Sequence, residues 1–172
     1  MTIEEFGEVL ARAQRSAVHL EMRDNYTRSD PAFIAWKAGT PMEDRETVRL
    51  WHEVICKVVA RGVVVRRARI VSEPVTDYIA YEHWVTASTN IAAGEQVRWL
   101  PRRRASDLAL PGNDFWLFDD TLVMWNHFTG DGEPAGKELT EDPAAAKLCA
   151  SAFDAVWERA IYHEEYRLAR SP

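Results

Sequence analysis

Two hydrophobic periods alternate along the chain, and their order predicts the elements. Thr2-Ile3-Glu4-Glu5 has capping-box spacing, so a first helix is expected from Ile3 to about Ala13, with Phe6, Val9 and Leu10 on its inner stripe. From Ala17 to Met22 the period falls to two. Val18, Leu20 and Met22 face one way and His19, Glu21 and Arg23 the other, the pattern of a half-buried strand. Asn25 to Asp30 reads as loop, and Asp30-Pro31 then caps a short helix that contains Phe33, Ile34 and Trp36 and closes at Gly39. A longer helix is predicted from Glu43 to Arg61, because Trp51, Val54, Ile55, Val58 and Val59 share one face and Gly62 stands where a C-terminal cap belongs.

Strand Val63 to Val71, a helix over Thr76 to Ala92 and strand Gln96 to Leu100 form a βαβ unit, so those strands should be parallel with a right-handed crossover. After the loop Pro101 to Asn113, two β-rich runs from Asp114 to Trp125 flank an acidic turn and predict a β-hairpin. Gly130 to Gly136 is loop and Lys137 to Thr140 a short extended piece. Asp142-Pro143 starts a last helix whose stripe includes Ala145, Leu148, Cys149, Ala152, Phe153, Val156, Trp157 and Ala160. The expected architecture is one α/β domain over 1–172, a mixed sheet flanked by helices. Its parts are a mostly helical 1–62, the βαβ unit and hairpin over 63–128, and a C-terminal helix over 142–162.

Composition agrees with a single globular domain: 172 residues, 47% hydrophobic and 28% charged. The two cysteines, Cys56 and Cys149, sit in helical patterns with no second thiol at ligand spacing, so both are expected as reduced core residues in a reducing cytoplasm. The acidic start MTIEEFGEVL lacks the basic-then-apolar order of a secretory signal, and no run is long enough to span a bilayer, so a cytoplasmic protein without membrane contact is expected.

Charge is unevenly placed. The net charge is −6, which argues against direct nucleic-acid binding. Yet Arg61 to Arg104 holds eight arginines against four acids, leaving −10 on the remainder. Internal pairing with the acidic flanks is the plain explanation for these arginines. Arg102, Arg103 and Arg104 follow a strand of a parallel pair, where open α/β sheets place ligands, and could hold an anion or a partner's acidic surface.

Candidate chemistry is sparse. His52 and Cys56 stand four apart on one helix, but no second pair completes a tetrahedral metal set. Gly130-Asp131-Gly132 is flanked by acids and lacks the lysine of a phosphate loop, and no Gly-x-Ser-x-Gly elbow is present. Asp114, Asp119 and Asp120 could suggest a Mg²⁺ site, although turn chemistry explains them more simply. His127, ending a strand in Trp125-Asn126-His127-Phe128, is the histidine best placed to meet loops. Trp116 and Trp125, on a hairpin expected near a sheet edge, could line an interface. No metal or cofactor is expected.

The runs Leu20-Glu21-Met22-Arg23-Asp24, Arg66 to Pro74, Asn90 to Arg103, Phe115-Trp116-Leu117-Phe118-Asp119-Asp120 and Ala152 to Trp157 resemble an uncharacterised actinobacterial domain-of-unknown-function family. Its members are often encoded beside helix-turn-helix regulators, so the resemblance implies such a regulator as partner. A more distant resemblance is to one repeat of the phospholipase D superfamily, whose hairpin carries His-x-Lys-x4-Asp. With that aspartate on Asp119, Gly112 takes the place of the nucleophilic histidine and Asp114 that of the lysine, while Asn126 falls near a later asparagine. The likeness implies a phospholipase D-like scaffold with its chemistry removed, since glycine cannot attack phosphorus and an aspartate repels phosphate. It also implies a homodimer, the way single-repeat members complete their site.

The function expected from these readings is a non-catalytic binding or regulatory module contacting a partner protein or an anionic ligand. Its contact residues would be drawn from Arg67, Arg69, Arg98, Arg102, Arg103, Arg104, Asp119, Asn126 and His127. The competing expectation is a divergent phosphodiesterase or nuclease-like hydrolase using His127 with Asp119 or Asp114.

Overall fold

The structure is a computed structural model that describes residues 1–26, 29–41 and 45–169. Helices α1 (Ile3–Ala11), α2 (Pro31–Lys37), α3 (Arg45–Val59), α4 (Asp77–Thr86) and α5 (Pro143–Arg159) accompany seven strands. These are β1 (Ser16–Glu21), β2 (Val64–Val71), β3 (Gln96–Pro101), β4 (Asp114–Phe118), β5 (Leu122–Phe128), β6 (Pro134–Thr140) and β7 (Ile161–Tyr162). The expected helix start at Glu43 lies outside the described residues.

Local chemistry fixes the ends as expected. Thr2 and Glu5 form a reciprocal capping box on α1. Asp30 and Asp142 each cap a helix that begins with proline. Gly62 takes φ 89 just beyond α3, a backbone conformation that costs glycine nothing. At Gly94, φ 104, an added Cβ would also lie 3.2 Å from Val59.

All seven strands form one mixed sheet in the order β6-β5-β4-β1-β2-β3-β7. The predicted pair β2 and β3 is parallel, with α4 as its crossover. β1 is parallel to β2 and antiparallel to β4. One sheet face packs on α5, where Leu20, Ile70, Leu100, Phe115 and Leu117 meet Cys149, Phe153 and Val156. The other face carries α1 and α3 through Phe6, Leu10, Ile55 and Val58 on Ala17, Val65, Trp116 and Met124. Farther along that face, Ile79 of α4 packs on Val71, Val97 and Trp99. Among the described residues, no helix is long and apolar enough to cross a membrane.

Several expectations require correction. β1 is buried on both faces, because it lies inside the sheet with helices over it, so His19 does not face solvent. The β4–β5 hairpin is internal, since β6 pairs along β5, and Trp116 is a core residue instead of an edge one. The C-terminal helix ends at Arg159: Ala160 turns extended, and Ile161–Tyr162 pairs with the free edge of β3. Cys149 is buried as expected, and burial pushes its thiol up to about 12, but Cys56 is exposed, its thiol donating to the Ala93 carbonyl. The extended piece expected from Lys137 begins at Pro134.

Candidate functional site

The sheet face that carries α1, α3 and α4 is incompletely covered, and the gap is a cleft of about 630 Å³, within the size range of small-molecule sites. Its floor is built by side-chain alternation. His19 and Glu21 of β1 stand opposite Arg67 and Arg69 of β2, and His19 also stands opposite Trp116 of β4. Because alternate residues point to one face, two His-x-Glu and Arg-x-Arg pairs from different strands are presented together.

These residues form a buried ion ladder. Arg67 donates through Nε to Glu95 (2.8 Å) and through Nη1 to Glu21 (2.7 Å). Arg69 donates through Nε to Glu21 (2.5 Å), through Nη1 to Thr86 (2.7 Å), and meets Glu82 at 2.6 Å. Glu95 also accepts from the Trp51 indole and the Asn90 amide, each at 2.8 Å. A π-helical turn over Ala87–Ile91 brings Asn90 to that position. Burial would raise the Glu21 carboxyl, but Arg69 and then Arg67 hold it well below the usual carboxylate range. Arg69 rises above its ordinary value: burial opposes this, and Glu21 and Glu82 overcome it.

The cations of this ladder lie on aromatic faces. The Arg67 guanidinium is 5.5 Å from the Trp51 ring centroid and 5.4 Å from that of Trp116, and Arg69 is 4.9 Å from Trp99. The Nη2 group of Arg67 has no hydrogen-bond partner among the described residues. Beside it, Asn126 and His19 Nε2 are 3.2 Å apart. Burial, then Arg67, pushes His19 well below its ordinary value, so the ring is neutral near pH 7. Lys137 belongs to the exposed edge strand β6 but lines the cleft, with its ammonium 5.3 Å from the Phe6 centroid. It forms no ion pair with a described residue, and desolvation followed by Arg67 lowers its pKa. The cleft therefore offers the Lys137 ammonium and the Arg67 Nη2 as donors without a partner among the described residues, while Glu21 and Glu82, already paired with arginine, line it as well.

The residues singled out from sequence fall into separate places. Arg67, Arg69 and Asn126 reach the cleft floor, and His127 reaches its rim, where Nε2 faces Glu138 at 3.3 Å. Arg98 points to the α5 face, stacked 4.3 Å from Trp157 and 3.9 Å from Tyr162. Arg102 ties strand ends together through Ser72, Asp24 and the carbonyls of Met22 and Ile70. Arg103 and Arg104 are exposed. Asp119 sits in the hairpin turn, at φ 51, accepting from the backbone amides of Gln14, Arg15 and Ser16.

The position aligned with the family lysine, Asp114, is 2% exposed and accepts from the Met22 amide and the Tyr26 hydroxyl. Gly112 lies in the bend that precedes β4. Among the described residues, no group of three His, Cys, Asp or Glu side chains is placed to hold a metal ion.

Glu21, Glu82, Glu95, Trp51, His19 and Lys137 were missed as site residues. The alternation of His19-x-Glu21 and of Arg67-x-Arg69 was a usable signal, but only the pairing of β1 with β2 makes the two one site.

Fold and site together define a mixed α/β sheet domain with a charged, aromatic-walled cleft on one face. The chain belongs to the family described as domain of unknown function DUF6879, whose model matches residues 4–168. No match is found among curated proteins. A solved phospholipase D family member, nuc from Salmonella typhimurium, is similar with TM-score 0.51 at 13% identity, over 95% of this chain and 90% of that one. The archaeal chromatin protein TrmBL2, whose structure shows a novel mode of DNA binding, has TM-score 0.50 at 13% identity, over 92% of this chain and 49% of that one. At such identity the likeness is one of fold, and it bears out the phospholipase D-like architecture expected from sequence.

Proposed function

We propose that this domain is a non-catalytic binding module whose cleft receives a compact anionic group. The observation that carries this reading is Lys137: an ammonium turned into the cleft beside Arg67, with no ion-pair partner among the described residues. An anion there would relieve the repulsion between the two cations and accept from the free Nη2 of Arg67.

The hydrolase reading has less support. His127 faces Glu138, the Asp119 carboxylate is occupied by three backbone amides, and Asp114 is held by Met22 and Tyr26.

Titration with acetate, phosphate and sulfate, followed by the side-chain amide resonance of Asn126 and the tryptophan indole resonances, tests the proposal. At least one anion is expected to shift these signals saturably in the wild type and not in Lys137→Gln. Absence of any such response, or phosphodiester cleavage with or without Mg²⁺ that is lost in His127→Ala, would reject it. From the family resemblance we further propose a helix-turn-helix regulator as a partner and, separately, a homodimer. Co-purification from the native cell and sedimentation at micromolar concentration test these two assignments.

A further inference from the structure

We infer that the cleft's ligand is a planar aromatic monoacid, its ring seated among the aromatic walls and its single carboxylate held by Lys137 and Arg67. The inference rests on the anion-binding reading above and specifies the chemical class.

Aromatic surface surrounds the cation end. Phe6, Trp51, Trp116 and Phe128 all line the cleft. Phe6 stacks on Trp51 at 5.5 Å and lies tilted against Trp116 at 5.0 Å, so the rings brace one another and hold their faces in place. Both cations lie over these same rings, Lys137 over Phe6 and Arg67 over Trp51 and Trp116. Phe6 and Trp116 are almost fully buried, so the aromatic surface open beside an anion bound there is that of Trp51 and Phe128. Flat rings favour such surroundings, in offset-stacked or edge-to-face contact.

Charge sets the upper limit on the ligand. Glu21 and Glu82 line the same cleft and share Arg69, while Arg67 is paired with Glu21 and Glu95. With Lys137 the three cations balance Glu21, Glu82 and Glu95 before a ligand binds, so a single added charge meets the least repulsion, whereas a phosphate dianion or polyphosphate would add more of it against Glu21 and Glu82. Size sets the lower limit. A cleft of about 630 Å³ leaves a one-carbon or two-carbon acid loosely surrounded, while a two-ring acid reaches the walls and the cations together.

Calorimetric titration of the full chain with 2-naphthoate, its neutral isostere 2-naphthamide, decanoate, adenosine monophosphate and acetate tests this. 2-Naphthoate is expected to bind at least tenfold more tightly than each of the others. Lys137→Gln should reduce its affinity about tenfold, to the level of the amide, and Lys137→Arg should restore most of it. Trp51→Leu should weaken 2-naphthoate more than acetate.

Equal binding of amide and acid, or binding of decanoate or the nucleotide as tight as that of 2-naphthoate, overturns the inference. If acetate or phosphate binds through Lys137 and the aromatic ring adds nothing, the aromatic class fails and the anion site stands. If no anion binds at all, both fail. Thermal unfolding of each variant, unchanged within a few degrees, distinguishes lost binding from lost fold.

Discussion

Replacing Asp114 with asparagine should make the protein relatively more stable at neutral pH and leave it nearly unchanged in acid. Burial raises the Asp114 carboxyl from 3.8 to about 6, outweighing the hydrogen bonds from Tyr26 and Met22 that act to lower it. Because the native value lies above the unfolded one, the native state holds its proton through the window where the unfolded chain has released it. Stability therefore falls as pH rises through that window, and the whole cost is present above it. The displacement corresponds to about 3 kcal/mol. Asparagine does not titrate: its carbonyl can still accept from the Met22 amide, and its amide can donate to the Tyr26 oxygen. Urea unfolding of both proteins at pH 3.5 and pH 7.5 isolates the effect, since every other titrating group cancels in the difference. With a slope of about 2 kcal/mol/M, the midpoint difference between variant and wild type should grow by about 1 to 1.5 M at the higher pH. A difference independent of pH would show that Asp114 carries no buried charge, and would refute burial as the cause of its raised pKa.

Other substitutions separate the roles of individual residues. Arg102→Ala, which removes bonds to Ser72, Asp24 and two carbonyls, should lower unfolding stability by about 2 kcal/mol. Arg103→Ala and Arg104→Ala should change it by less than about 0.5 kcal/mol in the same denaturant series. Asp119→Ala should cost about 2 kcal/mol, because three backbone amides lose their acceptor and alanine fits φ 51 poorly. The Asp119 pKa is lowered in the fold, with the Ser16, Gln14 and Arg15 amides outweighing the opposing effect of burial. Its contribution is therefore present above the unfolded value and should fade as pH falls through the native one, so an acid titration of the alanine variant should lack that part of the decline. Phe153→Ala, at a side chain 1% exposed beneath Arg66, should cost about 3 to 5 kcal/mol by thermal or urea unfolding.

Helix starts could be read locally, because caps and prolines act within a few residues. Thr2 with Glu5, Asp30 with Pro31 and Asp142 with Pro143 each met its expected structure. Ala160 did not: its neighbours Ile161 and Tyr162 left the helical pattern because the free edge of β3 offered backbone partners about sixty residues away in sequence. The arginines show the same limit. Arg67, Arg69, Arg98 and Arg102 belong to one basic stretch of sequence, yet they pack against three different sets of neighbours.

Periodicity and turn chemistry act over a few residues, and they made legible the elements other than β7, the helix caps, the parallel pairing within the βαβ unit and the acidic turn at Asp119 and Asp120. That β1 lies between β2 and β4, and with it the burial of His19 and the partial burial of Glu21, depended on tertiary structure. The cleft depends on that placement. Asn126 reaches His19 across 107 residues and Arg67 reaches Glu21 across 46, and contacts of that length are set by how whole strands pair. Alternation says that two polar side chains share a face, whereas strand order says which charges they meet there.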